Sequence, residues 1–115
     1  MKLKEQKNIG LALGGGAVLG AAHVGVLRAI DEFKIPIHYI SGTSIGAFMA
    51  ALYAFGMKWR EIEEIAVDLN WLDVSGIALS QYGVISNRRL GKVLDRHIGD
   101  KTFADLSLPL AVVAV

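Results

Sequence analysis

The sequence predicts an α/β fold built on a mainly parallel sheet, and three observations carry that expectation. Short strand-like runs occupy residues 9–13, 37–41 and 110–115, and the first and last of them are apolar with no polar face to show. Strands buried on both faces of a parallel sheet have this character. Helical periodicity fills the stretches between them, and alternating strands and helices give parallel βαβ units. Glycine-rich turns follow the first two runs directly: Gly14-Gly15-Gly16 after the first and Gly42-Thr43-Ser44-Ile45-Gly46 after the second.

Bulk properties narrow the function classes. A chain of 115 residues suits one domain or part of one. With 53% hydrophobic and 20% charged residues, it can build a core and is not a disordered segment. A net charge of +1 gives no electrostatic case for nucleic acid as a partner. Cysteine is absent, which excludes disulfides and thiolate metal sites and favours a reducing compartment. The first eight residues are polar, with Lys2, Lys4, Glu5 and Lys7, and carry no apolar core of a signal peptide. Both points favour a cytoplasmic protein. Residues 39–57 lack charge and approach the length of a spanning helix. Ser41, Gly42, Thr43, Ser44 and Gly46 break that run, so a buried strand followed by a buried helix explains it better.

In chain order, residues 9–13 form the first strand. Gly14, Gly15 and Gly16 then give the backbone freedom and expose bare N–H donors. Residues 21–33 read as a helix. Its apolar face is either Val24, Leu27 and Ile30 or Val26, Ile30 and Phe33. Pro36 is expected to stop that region, and residues 37–41 form the second strand. A helix follows Ser44 and ends near Gly56, a natural residue just past a helix C-terminus. Residues 59–69 form another helix with Ile62, Ile65, Ala66 and Leu69 on one face. Its acidic cluster, Glu61, Glu63, Glu64 and Asp68, reads as a solvated face and not a metal site. Residues 70–85 have weak periodicity and read as connecting structure or an apolar flap. Ser86 reads as the N-cap of a helix over residues 87–98 carrying Leu90, Val93, Leu94 and Ile98, ended by Gly99. A turn at residues 102–106 leads to Pro109 and the last strand. A central-looking strand at the end of the sequence predicts that the fold needs more chain.

The chemistry concentrates at the two turns. G-x-S-x-G between a strand and a helix is the pattern of a nucleophile elbow, in which Gly42 and Gly46 leave room for a sharp turn that exposes the Ser44 hydroxyl. A tight βα turn of small residues explains the motif equally well by itself. Both turns lie at the carboxyl edge of the sheet, where open α/β sheets bind ligands. Rival glycine loops fit poorly. Counted from Gly14, the third glycine of a dinucleotide fingerprint falls on Leu19; counted from Gly15, the second falls on Ala17. A Walker A loop needs Gly-Lys-Ser/Thr, but Ala21 and Ala22 follow Gly20. A loop that serves an oxyanion fits better, because ester hydrolysis passes through a tetrahedral anion. His23 reads as a packing or hydrogen-bonding residue. His38 and His97 lack a partner pattern, and no metal site or cofactor is expected.

Leu11-Ala12-Leu13-Gly14-Gly15-Gly16-Ala17 through Gly20-Ala21-Ala22-His23-Val24-Gly25-Val26-Leu27, followed by Gly42-Thr43-Ser44-Ile45-Gly46-Ala47, resembles the N-terminal part of bacterial patatin-like phospholipases. Leu108-Pro109-Leu110-Ala111-Val112-Val113-Ala114 resembles a later strand of that family. The resemblance implies a three-layer α/β/α sandwich, with residues 1–115 as the N-terminal portion of a single domain truncated at its C-terminus. It implies lipid acyl hydrolysis by a Ser-Asp dyad on a lipid or phospholipid ester, with peripheral membrane contact. Ser44 is then the nucleophile, and Gly14, Gly15 and Gly16 form the oxyanion hole. The sequence departs from the family at Leu19, where a basic residue is usual. Asp31, Asp68, Asp73, Asp95, Asp100 and Asp105 all lack the Gly-Gly or Gly-Ala that follows the family's catalytic aspartate. That aspartate is expected beyond this sequence, and the fragment alone is expected to be inactive. Two other readings are a Ser-His-Asp α/β hydrolase cut before its acid and histidine, and a patatin-like binding module.

Overall fold

The computed structural model describes residues 7–16, 20–69 and 88–113. The described strands are β1 (Gly10–Leu13), β2 (Tyr39–Thr43) and β3 (Leu110–Val113). They form a parallel sheet in the order β1-β2-β3. The described helices are α1 (Ala21–Glu32), α2 (Ile45–Ala54), α3 (Trp59–Asp68) and α4 (Arg88–His97). A 3-10 turn, Phe103–Asp105, precedes β3. The α/β class and the parallel sheet are as the sequence predicts. The expected reading of residues 70–85, the Ser86 cap and the last two residues of the final strand lie outside the described residues.

The second strand lies two residues later than the expected residues 37–41. β2 is the middle strand, and pairing on both sides extends it through the turn residues. Gly42 pairs with Leu13 on one side and Val112 on the other, and Thr43 pairs with Val113. At the other end, His38 closes onto β1 outside the ladder. Its N–H donates to Ile9 O (2.8 Å), and its Nδ1 accepts from Ile9 N–H (2.9 Å).

Helix stops also differ in one place. Pro36 does not end α1. Lys34 does, in the left-handed region at φ 52°. Its N–H donates to Asp31 O (3.1 Å), and Ile35 N–H donates to Ile30 O (2.9 Å). This is a Schellman cap built without glycine. α2 ends in the same motif with the expected Gly56 at φ 94°, where Gly56 N–H meets Tyr53 O and Met57 N–H meets Leu52 O. α4 closes on Gly99 at φ 61°, with one bond from Gly99 N–H to Asp95 O (3.0 Å).

α2 is the hub of the core. It packs on all three strands and on α1, α3 and α4. Phe48, Met49, Ala50, Leu52 and Ala54 are buried, which is why this helix has no charged face to show. The choice between faces of α1 falls to Val24, Leu27 and Ile30; Val26 and Phe33 are exposed. Leu27, Leu52 and Ile62 are completely buried or nearly so, and each such side chain contributes about 1.5–3 kcal/mol of transfer free energy. Glu61, Glu63 and Glu64 are exposed, as expected of a solvated face. Among the described residues, the helices cover the sheet face carrying Leu13, Ile40 and Gly42. Ala12, Tyr39, Ala111 and Val113, on the other face, are exposed.

Candidate active site

Ser44 lies between β2 and α2, and its backbone is in a region that side chains rarely adopt, at φ 55° and ψ −124°. Such a conformation costs about 1–3 kcal/mol and persists only where the surroundings impose it. The surroundings are glycines. A Cβ on Gly42 would meet the carbonyl of Gly46 and lie 2.5 Å from Ala47 N. A Cβ on Gly46 would meet Leu13 O and lie 2.6 Å from Gly14 O. The end of β2 therefore folds back onto the first turn of α2, and that turn rests on the end of β1. Ser44 occupies the N-cap position, where Ala47 and Phe48 N–H groups reach its carbonyl. Its hydroxyl makes no capping bond, although serine usually caps through it. The side chain is instead exposed, beside the positive end of the helix.

The sheet register brings the glycine loop to this serine. The last β1–β2 pair is Leu13 with Gly42, an offset of 42 − 13 = 29. Two residues further along, the same offset sets Gly15 against Ser44. A Cβ on Gly15 would lie 3.4 Å from Ser44 Cβ and 3.5 Å from Thr43 O. Gly16 has φ 131°, which only glycine adopts readily. Gly14, Gly15 and Gly16 are all exposed, as is Ser44. Gly20, at the start of α1, is close enough to Ile45 that a Cβ would lie 2.6 Å from Ile45 Cγ1. The first two βα units are thus joined at their turns. Leu19 lies outside the described residues.

His23, half-buried on α1, contacts this loop: its Nε2–H donates to Gly14 O at 2.7 Å. A carbonyl can only accept, so the ring nitrogen carries the proton. This is the hydrogen-bonding role expected of it. His38 is occupied at the start of β1, and His97 is exposed at the end of α4. Among the described residues, no histidine or carboxylate hydrogen-bonds to the Ser44 side chain, and no group of three or more metal-ligating side chains gathers.

An apolar groove of about 640 Å³ opens beside Ser44. One wall is a single face of α2: Ala47, Phe48, Ala51 and Phe55, which follow Ser44 at helical spacing. Leu90, Gly91, Leu94 and Ile98 of α4 form the other wall, with Leu110 and Val112 of β3 beneath. Lys101 and Phe103 also line it, but among the described residues no carboxylate or imidazole does. The groove was missed in the sequence, where the α2 run read only as core. The signal was there in Ala47, Ala51 and Phe55: two small residues and an aromatic on the serine's own helical face.

A patatin-like phospholipase family model matches residues 11–114. The chain belongs to the patatin-like phospholipase family. The neuropathy target esterase sws of Drosophila grimshawi is 35% identical over 108 residues, covering 89% of this chain and 7% of that protein. The same protein of Drosophila persimilis is 34% identical over 108 residues, covering 89% of this chain and 8% of its own length. Lysophospholipase NTE1 of Pyricularia oryzae is 56% identical over 48 residues, 42% of this chain and 3% of that protein. The chain therefore spans under a tenth of the length of these relatives. They are insect and fungal proteins, so they support the family but not its bacterial branch. Among the described residues, no helix is long and apolar enough to cross a membrane. Residues 39–57 divide into β2, the Ser44 turn and α2.

Proposed function

We propose that this chain carries the nucleophile and oxyanion hole of a serine hydrolase acting on lipid or phospholipid esters. One observation supports the reading above all. Ser44 is held in a strained turn, its hydroxyl making no capping bond and no hydrogen bond to another side chain among the described residues, next to Gly15 and at the mouth of an apolar groove. In this reading Ser44 Oγ attacks the ester carbonyl carbon while a base takes its proton. The carbonyl oxygen becomes an anion facing the N–H groups of the loop at Gly14, Gly15 and Gly16 and of the first turn of α2. Donors so placed are worth about 3–4 kcal/mol each in the transition state. The alcohol leaves with the proton from the base, and water then releases the acid from the acyl-enzyme. The base is an aspartate that this sequence does not contain, completing a Ser-Asp dyad.

The groove is the proposed acyl site. Its α2 wall belongs to a helix of ten residues, about 15 Å at ~1.5 Å per residue. An extended alkyl chain advances about 1.2 Å per bond, a third of a peptide repeat of ~3.6 Å, so roughly a dozen carbons fit along it. Phe103 and Val113, both exposed at the groove, suit a cytoplasmic protein that takes substrate from a membrane surface by peripheral contact.

A second reading, a binding module without turnover, is favoured by the lack of any carboxylate among the described groove residues. A fluorophosphonate probe separates the two. The full-length protein should be labelled, and Ser44→Ala should abolish labelling and ester hydrolysis together. A folded full-length protein that takes up no probe is not a serine hydrolase.

A further inference from the structure

The His23 contact bears on how the loop is aimed. Gly14 C=O and Gly15 N–H belong to one peptide unit. The described backbone has no cis bonds, so these two groups point in opposite directions from a rigid plane. Glycines on both sides leave that plane free to rotate unless something holds it. Two contacts hold Gly14 O. His23 Nε2–H donates to it at 2.7 Å, and the bare Cα of Gly46 backs it, since a Cβ there would lie 2.6 Å away. The other end of the same plane belongs to Gly15, the loop residue whose Cβ position is 3.4 Å from Ser44 Cβ. His23 is itself fixed, because the buried Val24 and Leu27 anchor α1 in the core.

We propose that His23 is a positioning residue: by holding the Gly14 carbonyl it sets the direction of the Gly15 N–H toward the oxyanion. This rests on the reading of Ser44 as nucleophile and the loop as oxyanion hole. His23 touches neither substrate nor Ser44 and takes no proton in the reaction. Its work is done through one peptide plane, so it should act on the transition state and leave ground-state binding alone.

The test uses full-length wild-type protein, His23→Ala and His23→Gln, with a p-nitrophenyl ester and a fluorophosphonate probe. The Gln amide can place an N–H donor where Nε2 lies. His23→Ala should lower kcat about 10- to 100-fold, the size expected for a misaimed group, with KM changed less than about twofold. Probe labelling of Ser44 should slow in parallel, and His23→Gln should recover most of both. Circular dichroism and the melting temperature show whether each variant is folded. Wild-type kcat in folded His23→Ala overturns the positioning role alone. So does a rise in KM at constant kcat, or a folded Gln variant as slow as Ala. A wild-type protein that the probe does not label overturns this role and the hydrolase reading together.

Discussion

Ser44 adopts a conformation that a glycine would adopt more cheaply, and the glycines around it stand where a side chain would collide. That exchange is the residue-scale signature of the turn. It gives a sharp contrast between two glycines of the same protein. In Gly46→Ala the new methyl meets the backbone of Leu13 and Gly14, which cannot swing aside as a flexible side chain would. Stability should fall by about 1–3 kcal/mol or more, and Ser44 labelling should slow, because the first turn of α2 must move. Gly25, in α1, has nothing within 4 Å of an added Cβ. Gly25→Ala should be neutral or stabilising by up to about 1 kcal/mol, with labelling unchanged. Chemical denaturation of both variants checks the pair; equal effects would mean that close backbone approach is not what Gly46 is for. Much at this scale was legible. Gly42, Ser44 and Gly46 stood out because their constraints act within five residues. The role of Lys34 did not, since nothing local marks a lysine as the left-handed residue of a helix cap.

At the scale of elements, α2 serves two purposes with two faces. One is buried against the sheet and α3; the other, Ala47, Ala51 and Phe55, lines the groove. Across the groove, α4 carries Gly91, with nothing within 4 Å of an added Cβ. A glycine in a helix interior costs roughly 0.5–1 kcal/mol against alanine, so open space there has a thermodynamic cost. In the acyl-site reading that space admits the chain. Gly91→Leu should fill it and lower kcat/KM for a long-chain ester about tenfold or more relative to an acetyl ester, since each displaced methylene is worth ~0.8 kcal/mol. Comparing a series of p-nitrophenyl esters checks this, and an unchanged chain-length profile would place the acyl chain elsewhere. Periodicity revealed these helices and offered two faces for α1. It could not choose between them, because the choice depends on where α2 and α3 lie. Arg28 of α1 stacks over Trp59 of α3 at 5.1 Å, a contact that follows from that packing and not from the local pattern.

Over the whole molecule, the Gly14–Gly16 loop and the Ser44 turn lie at one edge of the sheet, and the described groove residues offer Ser44 no carboxylate or imidazole. The isolated 115-residue polypeptide should therefore hydrolyse a p-nitrophenyl ester no faster than its Ser44→Ala form, while the full-length protein turns it over. Turnover by the isolated polypeptide would place the base within this sequence after all. β2 runs two residues past the strand read from its local sequence, because its end is set by partners on both sides. The sequence by itself determined the α/β class, the order of strands and helices, and the glycine and serine positions at the turns. Those depend on side-chain periodicity and on backbone constraints that act over a few residues. Tertiary structure alone decided that Gly15 faces Ser44, that His23 holds Gly14, and that α2 and α4 leave a groove between them. Each joins parts of the chain that meet only through the ladder register or helix packing, and such long-range contacts leave little trace in local pattern.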